Sequence, residues 1–561
     1  MTLGRLLLTW AIGLSVIATY GCGALRRFLV PPPQVEDKAI ASQSTDHKAD
    51  LLLHVGRVAA GPAQPTTLAL RVGQVLSLGS EQQAQPWIGP MTRVVHLPTS
   101  FATPGWADAD VDLTQAALAA DAVDLSSATT PSQVLTAIAN FCPEVNRGEW
   151  LWGKGLAQDV AGRLSPEALD RACPRAPLFI TSDGLRSGLV NTVLLARLPT
   201  ELGLQIQRFH GPIDENSTQT VWRALPAPRV ERFKPLLLDV LTTLQQTGIT
   251  EIDDIDGSGD LRDALVDLER DGRLPVRVQL YLRAQDPEAL ALLHPPPQPS
   301  LRPGESPPPP PQWQVGRLLQ VRGISLQMDG SVLSHTAALE QPYADTATTG
   351  ELLWTDEQLQ QTISAVDRGH WQLAVSAHGD RALAQLARVL AGLKRPSDAQ
   401  AVRIVGAQVV SPAVLTALQG QSVAWSLVPW IHKDSEVLSR LLGPTRMPWL
   451  NRVASLTPAG PVHMGSGWPQ GPLVPLATLA TLDGRRTGLA PPERLAPEMA
   501  LRAMLSGGTG AVLLPETGSA TDWVLWSRDP QTPGTDADVM ATVIDGVLTV
   551  LSLDGRVQTD P

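Results

Sequence analysis

From residue 51 onward, the chain contains short apolar runs separated by glycine-containing turns. LLLHVGRV begins at residue 51, and TTLALRVGQVLSLG begins at residue 66. Runs of this length between small turns are typical of β-strands. The same pattern returns after residue 500 in GAVLLP, TDWVLWSRDP and MATVIDGVLTVLSLDGRV. We therefore predict a small β-sandwich domain built from both ends of the chain, residues 51–93 and 485–561.

Between these segments, residues 94–484 alternate strand-like and helical patterns. APLFITSDG, GITEIDDID and WQLAVSAHGD have the apolar runs of strands, whereas FKPLLLDVLTTLQQTG and TDEQLQQTISAVDRG have helical spacing. Alternation of this kind implies a parallel sheet. So many repeats predict an α/β fold, a closed (β/α)₈ barrel of the TIM type. Proline runs near residues 295–312 predict an extended, solvated insertion in one loop.

The N-terminus has the pattern of an export signal. Arg5 is followed by the 16-residue uncharged run LLLTWAIGLSVIATYG, and Cys22 comes next. Residues 1–22 therefore predict a lipoprotein signal with lipidation at Cys22, and residues 23–50 a polar tether. Arg26 and Arg27 leave an uncleaved membrane anchor open, and plain secretion is the third alternative. All three place the protein outside the cytoplasm, in a bacterial cell envelope.

Composition narrows the classes of partner. The net charge is −11 and no basic stripe is evident, which argues against a nucleic-acid partner. Only three cysteines occur, without a CxxC pair or a Cys/His cluster, so a structural zinc finger is not expected. The remaining expected partners are the membrane and a small molecule or protein of unknown identity.

Three aspartates at alternate positions suggest a site. Asp108, Asp110 and Asp112 occur in PGWADADVDL, residues 104–113. Alternate residues of a strand share one face, so these carboxylates point the same way. Carboxylate oxygens suit magnesium, calcium or manganese. A solvated strand end would show the same residues, and both interpretations stay open at this point.

Seven segments occur along the chain in the order GEWLWGKG, LDRACPRAPLFITSDG, GITEIDDIDGSGDLRDAL, MDGSVLSHTAALEQPYAD, GELLWTDEQL, HGDRAL and GSGWP. As an ordered set they resemble the amidohydrolase superfamily, in the branch of N-substituted formamide deformylases and related metal-dependent hydrolases. The resemblance covers about residues 50–555. It implies the barrel with a split β-sandwich, one or two divalent metals at the barrel mouth, and hydrolysis of non-peptide C–N bonds.

This chain departs from the family pattern at nearly every metal ligand. Asp110 and Asp112 stand at the positions of the family's His-x-His pair, and only His378 keeps its residue type. Non-ligand side chains replace the bridging lysine, the Glu-His pair, the aspartate of Gly-Ser-Asp-Trp-Pro and the histidine after Asp-Gly. These replacements are Ser325, Val405, Gly406, Gly467 and Leu185.

The replacements predict a degenerate metal centre. A catalytic zinc site usually needs three protein ligands and a water, and glycine donates no side chain. Gly467 also removes the carboxylate that would act as general base. We therefore expect no resident cofactor and a non-catalytic binding or scaffold module. The alternative is an active hydrolase with a divalent metal on Asp110, Asp112 and His378, joined by His463 or His335.

Tryptophan is common, with 15 residues against 6 phenylalanines and 3 tyrosines. Seven of them lie in or near predicted strand ends and loops. They predict either packing over the barrel rim or an apolar or sugar-like pocket. The seven are Trp150, Trp152, Trp313, Trp354, Trp425, Trp430 and Trp468.

Cys142 and Cys173 each end a predicted helical segment, and the strand-like runs EWLWGKG and APLFITSDG follow them. If those runs are neighbouring barrel strands, both cysteines lie near the N-terminal face of the barrel. An exported protein meets an oxidising compartment. A disulfide between them is therefore one expectation, and two buried thiols are the other.

Overall fold

The structure is a computed structural model of the 561-residue chain. It describes residues 48–59, 65–146, 148–226, 228–286, 289, 313–428, 435–484, 489–505, 518–519, 521–532, 537–551 and 558–560. The predictions for the signal, Cys22, the tether, the proline-rich insertion and Trp430 lie outside these residues. Within them, no helix is long and apolar enough to cross a membrane.

Eight parallel strands form a barrel sheet in chain order, so the predicted (β/α)₈ architecture is confirmed. The first and eighth strands lie side by side, and a parallel bridge joins Val111 to Trp468, so that the sheet nearly closes. Trp313–Val315 adds an antiparallel pair to the fourth strand. From first to eighth, the barrel strands are Trp106–Val111, Ile249–Gly257, Arg277–Arg283, Leu319–Gln327, Gln372–Ala377, Val402–Gly406, Val423–Leu427 and Val462–Met464.

Helices cover the barrel because their apolar residues recur on one face. Val230–Gln246 buries Phe233, Leu237, Leu241 and Leu244, a spacing of three to four residues that fits one helical stripe. The other helices of this layer are Leu113–Ala119, Gly259–Arg270, Asp356–Arg368, Asp380–Gly392, Pro412–Leu418, Ser435–Arg446, Val453–Leu456, Pro475–Leu482 and Pro497–Met504.

An insertion between the first and second barrel strands carries its own sheet of four short strands, which we call the inserted sheet. Its strands are Val123–Asp124, Leu151–Lys154, Leu178–Thr181 and Gly188–Val190. EWLWGKG and APLFITSDG therefore do not supply barrel strands, and that expectation was wrong. A buried four-residue apolar run has the same composition whichever sheet it joins. The accompanying helices are Pro131–Phe141, Gln158–Ala161, Pro166–Ala172, Thr192–Leu195, Thr200–Gln207 and Glu215–Ala224.

The two ends of the chain meet in one sheet, as the sequence predicts. Trp526 pairs with Phe101, which brings a C-terminal strand against an N-terminal strand. The strand Arg93–Pro104 pairs within this sheet, and the helix Pro497–Met504 packs against the eighth barrel strand. The sheet contains Leu51–Val58, Thr67–Arg71, Gln74–Gly79, Arg93–Pro104, Trp523–Trp526, Val539–Ile544, Val547–Val550 and Gln558–Asp560; the short helix Glu81–Ala84 follows its third strand.

Candidate functional site

The predicted row of aspartates lies at the carboxyl end of the first barrel strand. Asp108 is only 3% exposed, so it is not a solvated strand end. Its Oδ1 accepts hydrogen bonds from the backbone N–H of Ser466 at 2.8 Å and of Asp110 at 3.3 Å. Asp112 caps the helix Leu113–Ala119 by accepting from the Gln115 N–H at 2.7 Å. The row is thus fixed by backbone donors on two sides.

A second pair of carboxylates comes from the neighbouring barrel strand. Asp254 accepts from the Leu113 N–H at 2.9 Å and from the Asp256 N–H at 3.1 Å. The sequence patterns considered above did not indicate Asp254 or Asp256 as site residues. The alternation in ITEIDDIDG repeats the period of two seen in the first strand, and that signal would have identified Asp254 and Asp256.

Burial raises the pKa of four carboxyl groups here, those of Asp108, Asp110, Asp112 and Asp254. It raises the pKa of Asp108 to about 6. Burial and then the charge of Asp108 raise the pKa of Asp110 to about 7, and burial and then Asp256 do the same for Asp112. Burial, with Asp112, also raises the pKa of Asp254 well above its usual range. Asp110 and Asp112 are therefore each protonated in a substantial fraction of molecules at neutral pH.

A guanidinium group occupies the barrel interior beside this row. Arg403, from the sixth barrel strand, lies with Nη2 2.5 Å from the Asp253 carboxylate. It donates to the Ser426 hydroxyl at 2.5 Å and to the Tyr281 hydroxyl at 3.2 Å. Its positive charge partly offsets the rise that burial and Asp108 cause in the pKa of Asp110. The buried cation of this barrel is thus an arginine, which the sequence patterns did not indicate.

His378 directly follows the fifth barrel strand and lies close to Asp329 and Ser376. Its backbone N–H donates to Asp329 Oδ1 at 2.9 Å, and its Nε2 lies 3.3 Å from the Ser376 hydroxyl. Nδ1 is buried and has no hydrogen-bond partner among the described residues. Burial lowers the pKa of His378 to about 4, so the ring is neutral at physiological pH.

The ring of His378 lies directly against Gly406, where any side chain would collide with it. A Cβ atom at Gly406 would lie 2.4 Å from Cε1 and 2.6 Å from Nδ1 of the His378 ring. Gly406 also has φ +87°, in the left-handed region that disfavours other residues. The imidazole therefore fills the space that a ligand side chain at position 406 would need.

Two of the other replaced ligand positions, Val405 and Leu185, carry side chains that pack in apolar clusters. Val405 is buried against Tyr281 and Ala374 in the barrel interior. Leu185 belongs to the apolar cluster that contains Trp152 and Trp222. These side chains stabilise the fold through contact area and offer no atoms to a cation.

The donors present therefore do not fit the family's metal. Within the described ranges, no three His, Cys, Asp or Glu side chains are arranged to hold a metal ion. Asp110, Asp112 and His378, all within those ranges, are therefore not arranged as one ligand group. The aspartates face other carboxylates and Arg403, whereas His378 packs on Gly406.

His335 and His463, the two further candidate ligands, lie in different parts of the structure. His335 lies with Nε2 3.0 Å from Asp345 Oδ1, and its ring contacts Tyr343. His463 is a buried residue of the eighth barrel strand, 6% exposed.

A cleft of about 300 Å³ opens at the barrel mouth beside the inserted sheet. Trp150 and Trp222 form its aromatic wall, with ring centroids 5.8 Å apart and rings perpendicular. Trp152 packs behind Trp222 at 4.7 Å. The cleft is lined by Asp112, Thr114, Leu118, Trp150, Trp222, Arg223, Leu225, Pro226, Asp256, Ser258, Gly259, Asp260, Arg283 and Asp286.

The tryptophans thus divide between the two predicted roles. Trp150 lines the cleft, while Trp425 is fully buried and Trp354 donates to the Gln327 carbonyl at 2.7 Å. Trp468 is half-buried against the barrel core. Trp222 was missed because it lies inside a helix with few apolar neighbours, and only its neighbourhood in three dimensions reveals its role.

Cys142 and Cys173 are joined, with Sγ atoms 1.97 Å and Cα atoms 5.5 Å apart. They follow the helices Pro131–Phe141 and Pro166–Ala172, which flank the inserted sheet. The expected position at the N-terminal face of the barrel was wrong, because the two adjoining strands do not belong to the barrel.

These features define an α/β barrel hydrolase fold with a cleft at its mouth. The profile of the Amidohydrolase family matches residues 94–550, and the chain belongs to that family. Protein LONG AFTER FAR-RED 3 of Arabidopsis thaliana is 22% identical over 551 residues, which cover 89% of this chain and 91% of that protein. The N-substituted formamide deformylase of Arthrobacter pascens is 27% identical over 147 residues, 24% of this chain and 27% of that enzyme.

The crystal structure of a metal-dependent hydrolase from Pyrococcus horikoshii has the same fold. Its TM-score is 0.69 at 20% sequence identity, with 86% of this chain and 98% of that chain covered. A second metal-dependent hydrolase, from Pyrococcus furiosus, gives 0.68 at 20% identity over 86% of this chain and all of that one.

Proposed function

We propose that this member of the amidohydrolase family is non-catalytic and serves as a binding or scaffold module, with the cleft at the barrel mouth as its ligand site. The main support is the contact between His378 and Gly406, because the ring occupies the space of a family ligand. The apolar roles of Val405 and Leu185 agree with this. The cleft at the barrel mouth, lined by Trp150, Trp222 and Asp112, offers a concave surface for a ligand.

Hydrolysis assays test the proposal. The purified protein is incubated with N-formyl and N-acyl amines, with and without added zinc or manganese, and the Arthrobacter pascens deformylase serves as the positive control. We expect no product above the rate of the blank. Metal-stimulated turnover that disappears in His378→Ala would overturn the proposal.

We further propose that the protein is held on the outer side of a bacterial membrane through Cys22. The support is the apolar run before Cys22 and the polar segment after it. The Cys142–Cys173 bond agrees with an oxidising compartment.

Cell fractionation tests this location. Cys22→Ser should move the protein from the membrane pellet to the soluble fraction, whereas Gly23→Ala, which keeps the cysteine, should not. A Cys22→Ser protein that stays in the pellet would indicate an uncleaved anchor and contradict lipidation.

A further inference from the structure

A second cavity lies beside the cleft at the barrel mouth. Its volume is about 170 Å³, and three residues, Leu118, Trp150 and Pro226, line both it and the cleft. Trp150 is half-buried, and its indole N–H donates to the Pro226 carbonyl at 3.0 Å. Trp150 therefore lies on the boundary between the two spaces.

The walls of the second cavity are mainly apolar. Its charged groups are paired with each other, because Arg232 donates to Asp121 at 2.7 Å and to Glu149 at 2.5 Å, while Arg229 is exposed to solvent. A cavity of about 150 Å³ with apolar walls is large enough to bind benzene. The second cavity therefore suits an uncharged apolar group of that size. Its apolar lining residues are Leu118, Trp150, Leu151, Trp152, Pro226 and Pro228.

Several charged groups of the cleft already have partners within the protein. Arg223 and Arg283 lie 3.5 and 3.7 Å from the carboxylate of Asp256. Asp286 accepts a hydrogen bond from the Gly259 N–H at 3.4 Å. A charged ligand would compete with these pairs, whereas a hydroxyl group can donate to a carboxylate and accept from a guanidinium group without breaking them.

Asp112 is compensated in the same way. It accepts a hydrogen bond from the Gln115 N–H at 2.7 Å, which fixes the side chain at the edge of the cleft. The positive charges of Arg283 and Arg223 partly offset the rise that burial, and then Asp256, cause in its pKa. The cleft thus presents fixed hydrogen-bond donors and acceptors, which suit an uncharged polar group.

We infer that the cleft and the second cavity form one two-part site for a small uncharged amphiphile. Its hydroxyl-bearing head group lies in the cleft, and its apolar group, about the size of a benzene ring, passes Trp150 into the second cavity. This inference rests on the proposed binding function of the cleft. The cleft volume of about 300 Å³ is at the small end of ligand sites, so the head group is small.

Three compounds separate the contributions of the two cavities. Phenyl β-D-glucoside carries both groups, methyl β-D-glucoside carries the head group, and benzyl alcohol carries the apolar group. Their affinities for the full protein are measured by ligand-observed NMR titration. We expect phenyl β-D-glucoside to bind at least about tenfold more tightly than either of the others, a difference of about 1.4 kcal/mol.

Competition tests the two-part arrangement. Methyl β-D-glucoside and benzyl alcohol should bind at the same time, because they occupy different cavities, and phenyl β-D-glucoside should displace both. Phenyl β-D-glucuronide has the same shape with an added carboxylate. It should bind more weakly than phenyl β-D-glucoside, because the cleft suits an uncharged head group.

A pair of matched variants locates the apolar group. Pro228 lines the second cavity and not the cleft, so the larger side chain of Pro228→Trp should fill that cavity. This variant should lower the affinity for phenyl β-D-glucoside about tenfold and leave that for methyl β-D-glucoside unchanged. Pro212→Trp is the control, because Pro212 is also half-buried and lines neither cavity.

A second pair tests the shared boundary. Trp150→Ala should weaken the binding of both glucosides, because Trp150 lines both spaces. Trp87→Ala should weaken neither, since Trp87 is half-buried in another part of the protein and lines neither cavity. Circular dichroism confirms that each variant folds.

The outcomes separate this inference from the proposed function. Equal affinities for phenyl and methyl β-D-glucoside would remove the second cavity from the site and leave the cleft as a ligand site. Mutual displacement of methyl β-D-glucoside and benzyl alcohol would overturn the two-part arrangement, and tighter binding of the glucuronide would overturn the uncharged head group. No binding by any of these compounds would overturn the inference, whereas the absence of hydrolysis is tested separately by the assays above.

Discussion

Replacing Gly406 by alanine tests the contact that excludes a metal ligand from the sixth barrel strand. Two costs add. The residue has φ +87°, and an alanine in the left-handed region costs about 1–2 kcal/mol. The new Cβ would also lie 2.4 Å from His378 Cε1, and overpacking of this kind costs about 1–3 kcal/mol. We expect Gly406→Ala to lower the free energy of unfolding by about 2–5 kcal/mol.

Gly420→Ala provides the matched control. Gly420 has φ +79°, and a Cβ there would meet no atom within 4 Å. It should therefore cost only the backbone part, about 1–2 kcal/mol. The unfolded-state effect of adding a methyl group is the same for both variants, so it cancels in the comparison.

A double-mutant cycle isolates the steric part. In the His378→Ala background the ring is gone, so Gly406→Ala should cost no more than Gly420→Ala. The coupling between positions 406 and 378 should be about 1–3 kcal/mol, measured by urea unfolding followed by tryptophan fluorescence. Equal costs for Gly406→Ala and Gly420→Ala in the wild-type background, with no coupling, would refute the described packing.

Three further predictions concern the acids, divalent ions and the disulfide. Burial raises the pKa of Asp110 to about 7, so the folded state binds this proton more tightly than the unfolded state, and the free energy of unfolding should fall as the pH rises from about 4 to 7. Asp110→Asn should make this fall smaller when unfolding is measured across that pH range. An unchanged pH profile in Asp110→Asn would contradict the prediction. Millimolar magnesium, calcium or manganese should leave the melting temperature unchanged, whereas a rise that Asp110→Ala/Asp112→Ala abolishes would reveal a hard-ion site. Denatured, non-reduced protein should show no free thiol at Cys142 or Cys173, and replacing both by alanine should cost about 3 kcal/mol; two free thiols would contradict the bond.

The fold could be predicted from the sequence because its signals are local and repeated. Apolar runs such as WQLAVSAHGD and helical stripes such as Phe233, Leu237 and Leu241 each encode one element, and eight repeats admit few architectures. Two strands of the inserted sheet were predicted to be barrel strands because a run of four apolar residues does not indicate which strand it pairs with. Val123–Asp124, its edge strand, is two residues long and has no detectable alternation.

The site was harder to predict because it depends on contacts between distant strands. The alternation predicted that the three aspartates share a face of one strand; in the structure Asp108 and Asp110 belong to the first barrel strand, and Asp112 caps the helix that follows it. That His378 would pack on Gly406, and that Arg403 would be the buried cation, depends on which strands are neighbours and on the fit between side chains. Neither has a local sequence signal.

Metal analysis of the purified full-length protein tests the central claim most directly. The protein is prepared without chelator in zinc-supplemented medium, dialysed, and measured by inductively coupled plasma mass spectrometry beside His378→Ala. We predict zinc well below one equivalent in both proteins, because Gly406 and Gly467 donate no ligand and His378 packs on Gly406. One equivalent of zinc that is lost in His378→Ala would contradict the account.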